Sequence, residues 1–518
     1  GSAFVTSMYR LPRLWKRAVV PMRKMATRSY EDPLLLHTLL TKPQTRISRG
    51  QMLSLLRDLK EEDGGEAVEK LRTLCSLYLQ MNLEEKANAL VHFCLRFGSE
   101  IPGNANAFSG IPGDPEIGFH GEKSPKVCRN DSKFLSVISR MIEMKGGLDF
   151  LVNVRGDILT IQRAAQYQLE ESKNETEKKN GTIFRNALLS KLSTYLHSLF
   201  RQRFREDILE IRRISWESPE DLLRDITEFE AVHPVENRQD LKNRLGAGRR
   251  CFGLFHPKME QKPLAFVHAA LTHGYPPGDI RRIIGKTAEY LNSDTKATHI
   301  AFYSISSTQQ GLSGVEIGAF LLKKAIPQVR LDIPSVSCFL TLSPVPQLRS
   351  WILRELTNGS SFLNSSEESQ LITLLPPHLP SDTLSTSSLL ANLLSVEAMN
   401  WWALGESKQA SQAREVLEPV LLRLAARYFL LEKRPNRPDK PFDPVANFHL
   451  RNGASLHRIH YLANCNPYGL NQSCGIMVNY AYNITEAVTR SNKNAYSKGN
   501  VVASETVWEY LGEPTSKL

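Results

Sequence analysis

The 518 residues carry 65 Lys and Arg against 54 Asp and Glu, a net charge of +11, with 41% hydrophobic and 23% charged residues. This balance is globular and excludes wholesale disorder, while the length exceeds one compact core, so two domains plus terminal extensions are expected. No apolar run approaches the roughly 20 residues needed to cross a bilayer, so no membrane span is expected.

Residues 1–30 contain Arg10, Arg13, Lys16, Arg17, Arg23, Lys24 and Arg28 and no acid, which leaves the rest of the chain only mildly basic. With no paired Cys/His finger and no RNA-recognition sheet motif, a nucleic-acid partner is not expected. The same Arg-rich segment, interleaved with Leu11, Leu14, Trp15, Val19 and Val20, has the makings of a mitochondrial transit peptide.

From about residue 34 to 210 the apolar spacing is helical. Stripes at 46–62 and 66–97 are separated by Asp63-Gly64-Gly65, and 98–125 is a Gly- and Pro-bearing loop. A helix from about 131 is interrupted at Gly146-Gly147. Phe184, Leu188, Leu192, Leu196 and Phe200 recur every four residues and are expected on one buried face. This half reads as an all-α helical bundle.

Near Trp216 short β-rich runs begin to alternate with helices. Strands are predicted at 264–267, 300–305 and 335–342, and 357–388, rich in Ser, Thr, Asn and Pro, reads as a surface insertion. The expected organisation is a presequence at 1–30, a helical domain at 31–206 and an α+β domain at 207–518.

Three local patterns in the second domain have chemical potential. Ser307 to Gly318 joins a strand to a helix with glycines that permit close approach of backbone amides to a phosphate, although such turns are common and this one is neither a P-loop nor a dinucleotide fingerprint. Ser343-Pro344 follows a strand, where the serine either projects into a cleft or caps a turn; it is not in a nucleophile elbow. His449 sits among small and apolar neighbours before a turn, a setting that suits a satisfied core histidine as well as an acid/base group. The seven cysteines show no CxxC pair and no zinc-ligand spacing, so neither a disulfide framework nor a metal site is expected. Ser516-Lys517-Leu518 reads as a peroxisomal address for the import receptor.

Taken in order, Glu230 to Val235, Phe302 to Gly318, Leu342-Ser343-Pro344, Pro444 to Leu450, and Ser473-Cys474-Gly475 with Asn479-Tyr480 resemble the motifs of the malonyl-CoA decarboxylase family, and the likeness spans roughly residues 35–518. The resemblance implies a helical N-terminal domain, which serves oligomerisation, and a C-terminal domain of the acetyltransferase (GNAT) fold. It implies a homo-oligomer, with a tetramer as one form, acting on malonyl-CoA without cofactor or metal, in fatty-acid metabolism and in mitochondria, peroxisomes or the cytoplasm. By position it places Ser313, Gly314, Val315, Glu316, Ile317, Gly318 and Ala319 at the CoA-thioester, with Ser304 and Tyr482 also facing the pocket. The catalytic pair falls on Ser343 and His449, either of which supplies the proton. Glu316 orients His449 or a water, or else caps its helix. The chain departs from the family pattern at Asp443, where Asn is frequent, and at Arg451, where Gln is frequent. An acetyltransferase-fold enzyme that moves an acyl group to an amine is the rival reading, and a non-catalytic helical scaffold is a third.

Overall fold

The computed structural model describes residues 65–98, 100–102, 132–171, 176–285, 294, 296–359, 363–374 and 385–512, without side chains at 167–181. Residues 1–30 and 516–518, on which the targeting expectations fall, the stripe at 46–62 and most of the loop at 98–125 lie outside the described residues.

The described chain opens with helices α1 (Gly65–Gln80), α2 (Leu83–Phe97), α3 (Lys133–Glu143), α4 (Gly147–Glu171) and α5 (Thr176–Arg203). The single stripe expected over 66–97 is two helices. Asn82 accepts the Glu85 amide and Glu85 accepts the Asn82 amide, each at 2.9 Å, a reciprocal cap that starts α2 afresh. Gly146, at φ 78, makes the expected break before α4. On α5 the four-residue pattern holds only in part: Leu192, Leu196 and Phe200 are buried, but Phe184 is 58% exposed. Each step of four turns the helix about 40° beyond a full circle, so four steps carry the first residue off the packed face.

Among the described residues eight strands build one sheet: β1 (Glu210–Ile214), β2 (Arg249–Phe255), β3 (Ala265–Thr272), β4 (His299–Ser307), β5 (Cys338–Thr341), β6 (Ser343–Pro344), β7 (Ser455–His460) and β8 (Met477–Tyr482). Strands β1 to β4 are antiparallel neighbours in chain order. β4 and β5 are parallel, joined by a crossover through helix α6 (Ile317–Asp332). β8 then pairs antiparallel with β5, β6 and β7. β2 and β3 are buried at every position, as expected of strands covered on both faces.

One apolar core runs without interruption from the helical half into the sheet, uniting Leu71, Phe134, Ile158 and Leu196 with Phe252, Phe302 and Leu321. A second core gathers around α7 (Lys408–Leu430), where Leu421, Leu424 and Tyr428 meet Leu450, Val478 and Tyr480. The presumed surface insertion at 357–388 needs correction in its described part. Residues Ser365–Ile372 form a helix whose Leu371 is fully buried and whose Glu367 pairs with Arg423 of α7. Asn364 and Glu367 form another reciprocal cap, so its polar composition encodes a helix start, not a loop. The chain is thus a multidomain helical and mixed-sheet α/β protein.

Candidate active site

Parallel pairing of β4 with β5 ends at Phe302 opposite Thr341, followed by one last bond from the Leu342 amide to the Phe302 carbonyl at 2.9 Å. Beyond it β4 stays with β3, whereas Ser343-Pro344 turns to β8. Between these diverging ends stand the start of α6 and helix α8 (Pro444–Arg451): a Cβ on Gly318 would lie 3.2 Å from Phe448 and 3.9 Å from Ile305.

Local sequence fixes α8. Asp443 caps it, accepting the Ala446 amide at 2.7 Å, and Pro444 occupies the first turn, where its missing N–H costs nothing. The other carboxylate oxygen accepts the Tyr428 hydroxyl at 3.1 Å, and burial pushes this acid up to about 6. Asp443 therefore anchors the helix that carries His449; Asp and Asn both serve at such a cap.

His449 is buried at the inner end of α8. Its Nε2 lies 3.2 Å from Ser343 Oγ and its Nδ1 lies 2.8 Å from Tyr482 Oη. The ring stacks on Tyr480, centroids 4.4 Å apart and planes inclined by 21°. Burial pushes its pKa down to about 3, so the imidazole is neutral at physiological pH. Ser343 Oγ also donates to Thr341 Oγ1 at 2.8 Å. Three groups distant in sequence, Ser343, His449 and Tyr482, thus meet in one hydrogen-bonded line.

The Ser313–Ala319 loop reaches the same place by another route. Gly314, at φ 83, makes the turn into α6, Ile317 is buried, Val315 packs against the core, and Ala319 lies in the first helical turn. Glu316 precedes the helix but makes no cap bond with its side chain. Its carboxylate lies 3.8 Å from Arg451 of α8 and not on His449. The departure at Arg451 and the loop acid therefore form one contact. Ser304 is drawn elsewhere: its hydroxyl donates to both oxygens of buried Glu230, at 2.6 and 2.8 Å, where the Val232 and His233 amides also converge. We read it as an anchor of β4.

Two residues of the helical half hold the loop from behind, and neither stood out in the sequence. Arg155 of α4 donates to the Gly311 carbonyl, to the Ser313 carbonyl at 2.8 Å, and to Ser193 of α5 at 3.3 Å. Burial without a carboxylate partner pushes this guanidinium down to about 10. His197 of α5 stands against Gly314, its Nε2 3.1 Å from where a Cβ on that glycine would lie. Hydrogen bonds from a charged donor contribute about 1.5–3 kcal/mol each, so Arg155 is a substantial brace. Gly311 allows this approach, since a Cβ there would fall 1.8 Å from the Val152 carbonyl oxygen.

Among the described residues no group of three or more His, Cys, Asp or Glu side chains is placed to hold a metal ion, and no helix is long and apolar enough to cross a membrane. The six cysteines described are free.

Residues 207–518 match the family described as malonyl-CoA decarboxylase C-terminal domain. The mitochondrial malonyl-CoA decarboxylase of Mus musculus is 33% identical over 391 residues, 74% of this chain and 71% of its own length. That of Anser anser anser is 32% identical over 389 residues, 74% of this chain and 70% of its own. Among solved structures, malonyl-CoA decarboxylase from Agrobacterium vitis superposes with a TM-score of 0.67 at 26% identity, covering 89% of this chain and all of that one. The enzyme from Rhodopseudomonas palustris gives 0.62 at 27% identity, over 90% of this chain and all of that one.

Proposed function

The chain belongs to the malonyl-CoA decarboxylase family, and from that membership we propose that it converts malonyl-CoA to acetyl-CoA and CO2 at the site formed by Ser343 and His449. It is a carboxy-lyase. The observation that carries the site is the Ser343–His449–Tyr482 line, buried at Ser343 and His449 and half-buried at Tyr482, beside the N-terminal end of α6.

The chemistry asks for little more. The bond between the α-carbon and the carboxylate breaks, CO2 leaves, and the electron pair moves into the thioester carbonyl to give an enolate. A proton delivered to the α-carbon completes acetyl-CoA. The thioester is itself the electron sink, so the reaction requires neither redox cofactor nor metal. The protein must orient the carboxylate, stabilise the enolate oxygen and supply the proton. A neutral imidazole in a water-poor pocket suits the last two tasks, because it keeps an N–H to present and its hydrogen bond is stronger there than in water. We assign His449 the donor role and Ser343 the contact with the malonyl group. Amides of the Ser313–Ala319 turn, reinforced by the positive end of α6, hold the CoA arm.

In this reading residues 207–518 are an acetyltransferase-like catalytic domain and residues 31–206 an oligomerising helical domain. The curated relatives are named mitochondrial, and we propose mitochondrial delivery through residues 1–30 and peroxisomal delivery through Ser516-Lys517-Leu518. Acyl transfer to an amine uses the same kind of loop but leaves the Ser343–His449 contact without a role. Purified, chelator-stripped protein should release CO2 and acetyl-CoA from malonyl-CoA with no acceptor present. Turnover only on adding an amine would overturn the proposal in favour of the transferase.

A further inference from the structure

We propose that Thr341 is a positioning residue, whose Oγ1 accepts the hydrogen bond of the Ser343 hydroxyl and so holds His449 with its single N–H on Nε2. This rests on the roles given above to Ser343 and His449. Thr341 and Ser343 are two apart in an extended segment and point to the same side.

The β5–β6 edge breaks at Leu342 while β8 keeps one register along it, and on its other side β8 shifts register against β7, between Asn479 and Tyr480. At the break the Tyr480 amide goes to Thr341 Oγ1, at 3.1 Å, while Asn479 Nδ2 takes the Thr341 carbonyl. An amide can only donate, so one acceptor position of Thr341 Oγ1 is committed. The second accepts Ser343 Oγ–H at 2.8 Å. Thr341 is 1% exposed, so water does not compete for these positions.

With its proton turned to Thr341, Ser343 shows a lone pair to His449 Nε2, 3.2 Å away. A neutral imidazole has one N–H, and facing an acceptor at Nε2 it places the hydrogen there. Nδ1 is then the acceptor for Tyr482 Oη–H at 2.8 Å. The polarity runs from Tyr482 through His449 and Ser343 to Thr341, each group donating to the next. It opposes that of a serine nucleophile with its base, in which serine donates to an unprotonated histidine nitrogen. His449 therefore carries its one hydrogen on the Ser343 side, where a substrate that contacts Ser343 can take over that hydrogen bond, and Ser343 is not activated for attack. Thr341 has this effect without touching the reacting atoms.

The experiment combines kinetics with nitrogen NMR on the full chain. Thr341→Val should lower kcat about 10- to 100-fold, the span expected when a buried hydrogen-bond partner is lost, and leave KM within about twofold. Thr341→Ser, which keeps the hydroxyl, should recover most of that rate. In a Ser343→Ala background Thr341→Val should cost nothing further, since Thr341 acts through Ser343. In 15N-histidine spectra the His449 ring, identified by its loss in His449→Ala, should be the Nε2–H tautomer in the wild type and should move toward Nδ1–H in Thr341→Val. An equal loss in both backgrounds would reduce Thr341 to a sheet contact, and a wild-type ring protonated at Nδ1 would overturn the proposal. Should Thr341→Val fail to fold, the wild-type tautomer and the Thr341→Ser rate decide. Failure of the decarboxylase reading looks different: the wild type yields no CO2, while the ring tautomer still reports on Thr341.

Discussion

Gly311→Ala is the sharpest test of how the loop is held. The added Cβ would stand 1.8 Å from the Val152 carbonyl oxygen and 2.7 Å from its carbon. Both are main-chain atoms of α4, so no side-chain rotation relieves the clash. Contact becomes ordinary only at 3.4 Å, so the loop and α4 must separate by roughly 1.6 Å, much more than a tightly packed interior absorbs. Overpacking typically costs about 1–3 kcal/mol, and the same displacement pulls the Gly311 and Ser313 carbonyls off Arg155, whose bonds contribute about 1.5–3 kcal/mol each. We expect a stability loss of about 3 kcal/mol, read from urea unfolding, and a KM for malonyl-CoA raised about tenfold or more with kcat lowered less than threefold. Gly314→Ala is the comparison. Its Cβ meets no backbone, only the His197 ring, with Nε2 at 3.1 Å and Cδ2 at 3.6 Å, and its cost is the strain of φ 83, about 1–2 kcal/mol. If Gly311→Ala matched the wild type in both stability and KM, the view that α4 sets the loop would be wrong.

His449→Ala should lower kcat about 10²–10⁴-fold with little change in affinity for an unreactive analogue, and adding Ser343→Ala should cost far less than the product of the single losses; near-wild-type turnover in folded His449→Ala protein would sink the catalytic assignment. Arg155→Met should raise KM more than it lowers kcat, since it frees the loop and leaves Ser343 and His449 in place, whereas equal changes in both would mean that the brace reaches the reacting groups. Arg451→Gln should change KM less than fivefold, because a 3.8 Å ion pair between partly exposed groups contributes about 1 kcal/mol or less. Acid should destabilise the fold: burial pushes His233, His268 and His449 down to about 3, so below pH 6.5 the unfolded chain binds the protons that these rings refuse, and their contribution fades toward pH 3. Asp443 and Glu230, pushed up by burial, oppose this trend, but His197, His256, His299, His457 and His460 are also shifted down and reinforce it. Urea midpoints should therefore fall from pH 7.5 to pH 5, and His268→Phe should shrink the difference; a rise on acidification would contradict the neutral histidines.

Periodicity found what is local. The strands at 264–267, 300–305 and 335–342 fall within or across β3, β4 and β5, and the glycine-bearing turn does enter a helix. The Asn82 and Asn364 caps were equally local, each an Asn followed three residues later by Glu, but apolar spacing alone overlooks them. What escaped the sequence is what the fold brings together. Ser343 and His449 are 106 residues apart, and only the family resemblance paired them before β6 and α8 placed one against the other. Arg155 reads as an ordinary helical arginine; its meaning lies in carbonyls more than 150 residues away. The same holds for Glu316, whose partner Arg451 belongs to a helix with no sequence link to the loop.

The bracing of the loop by α4 and α5 also bears on how the chain becomes active during synthesis. The helices emerge first, and the carbonyls that Arg155 grips appear only after β4 has been made. The brace therefore closes only once sheet and helices have docked. Under the role proposed for the loop, a chain whose helices have not docked lacks the grip on Gly311 and Ser313, so the helical half acts as a checkpoint on the substrate's seat.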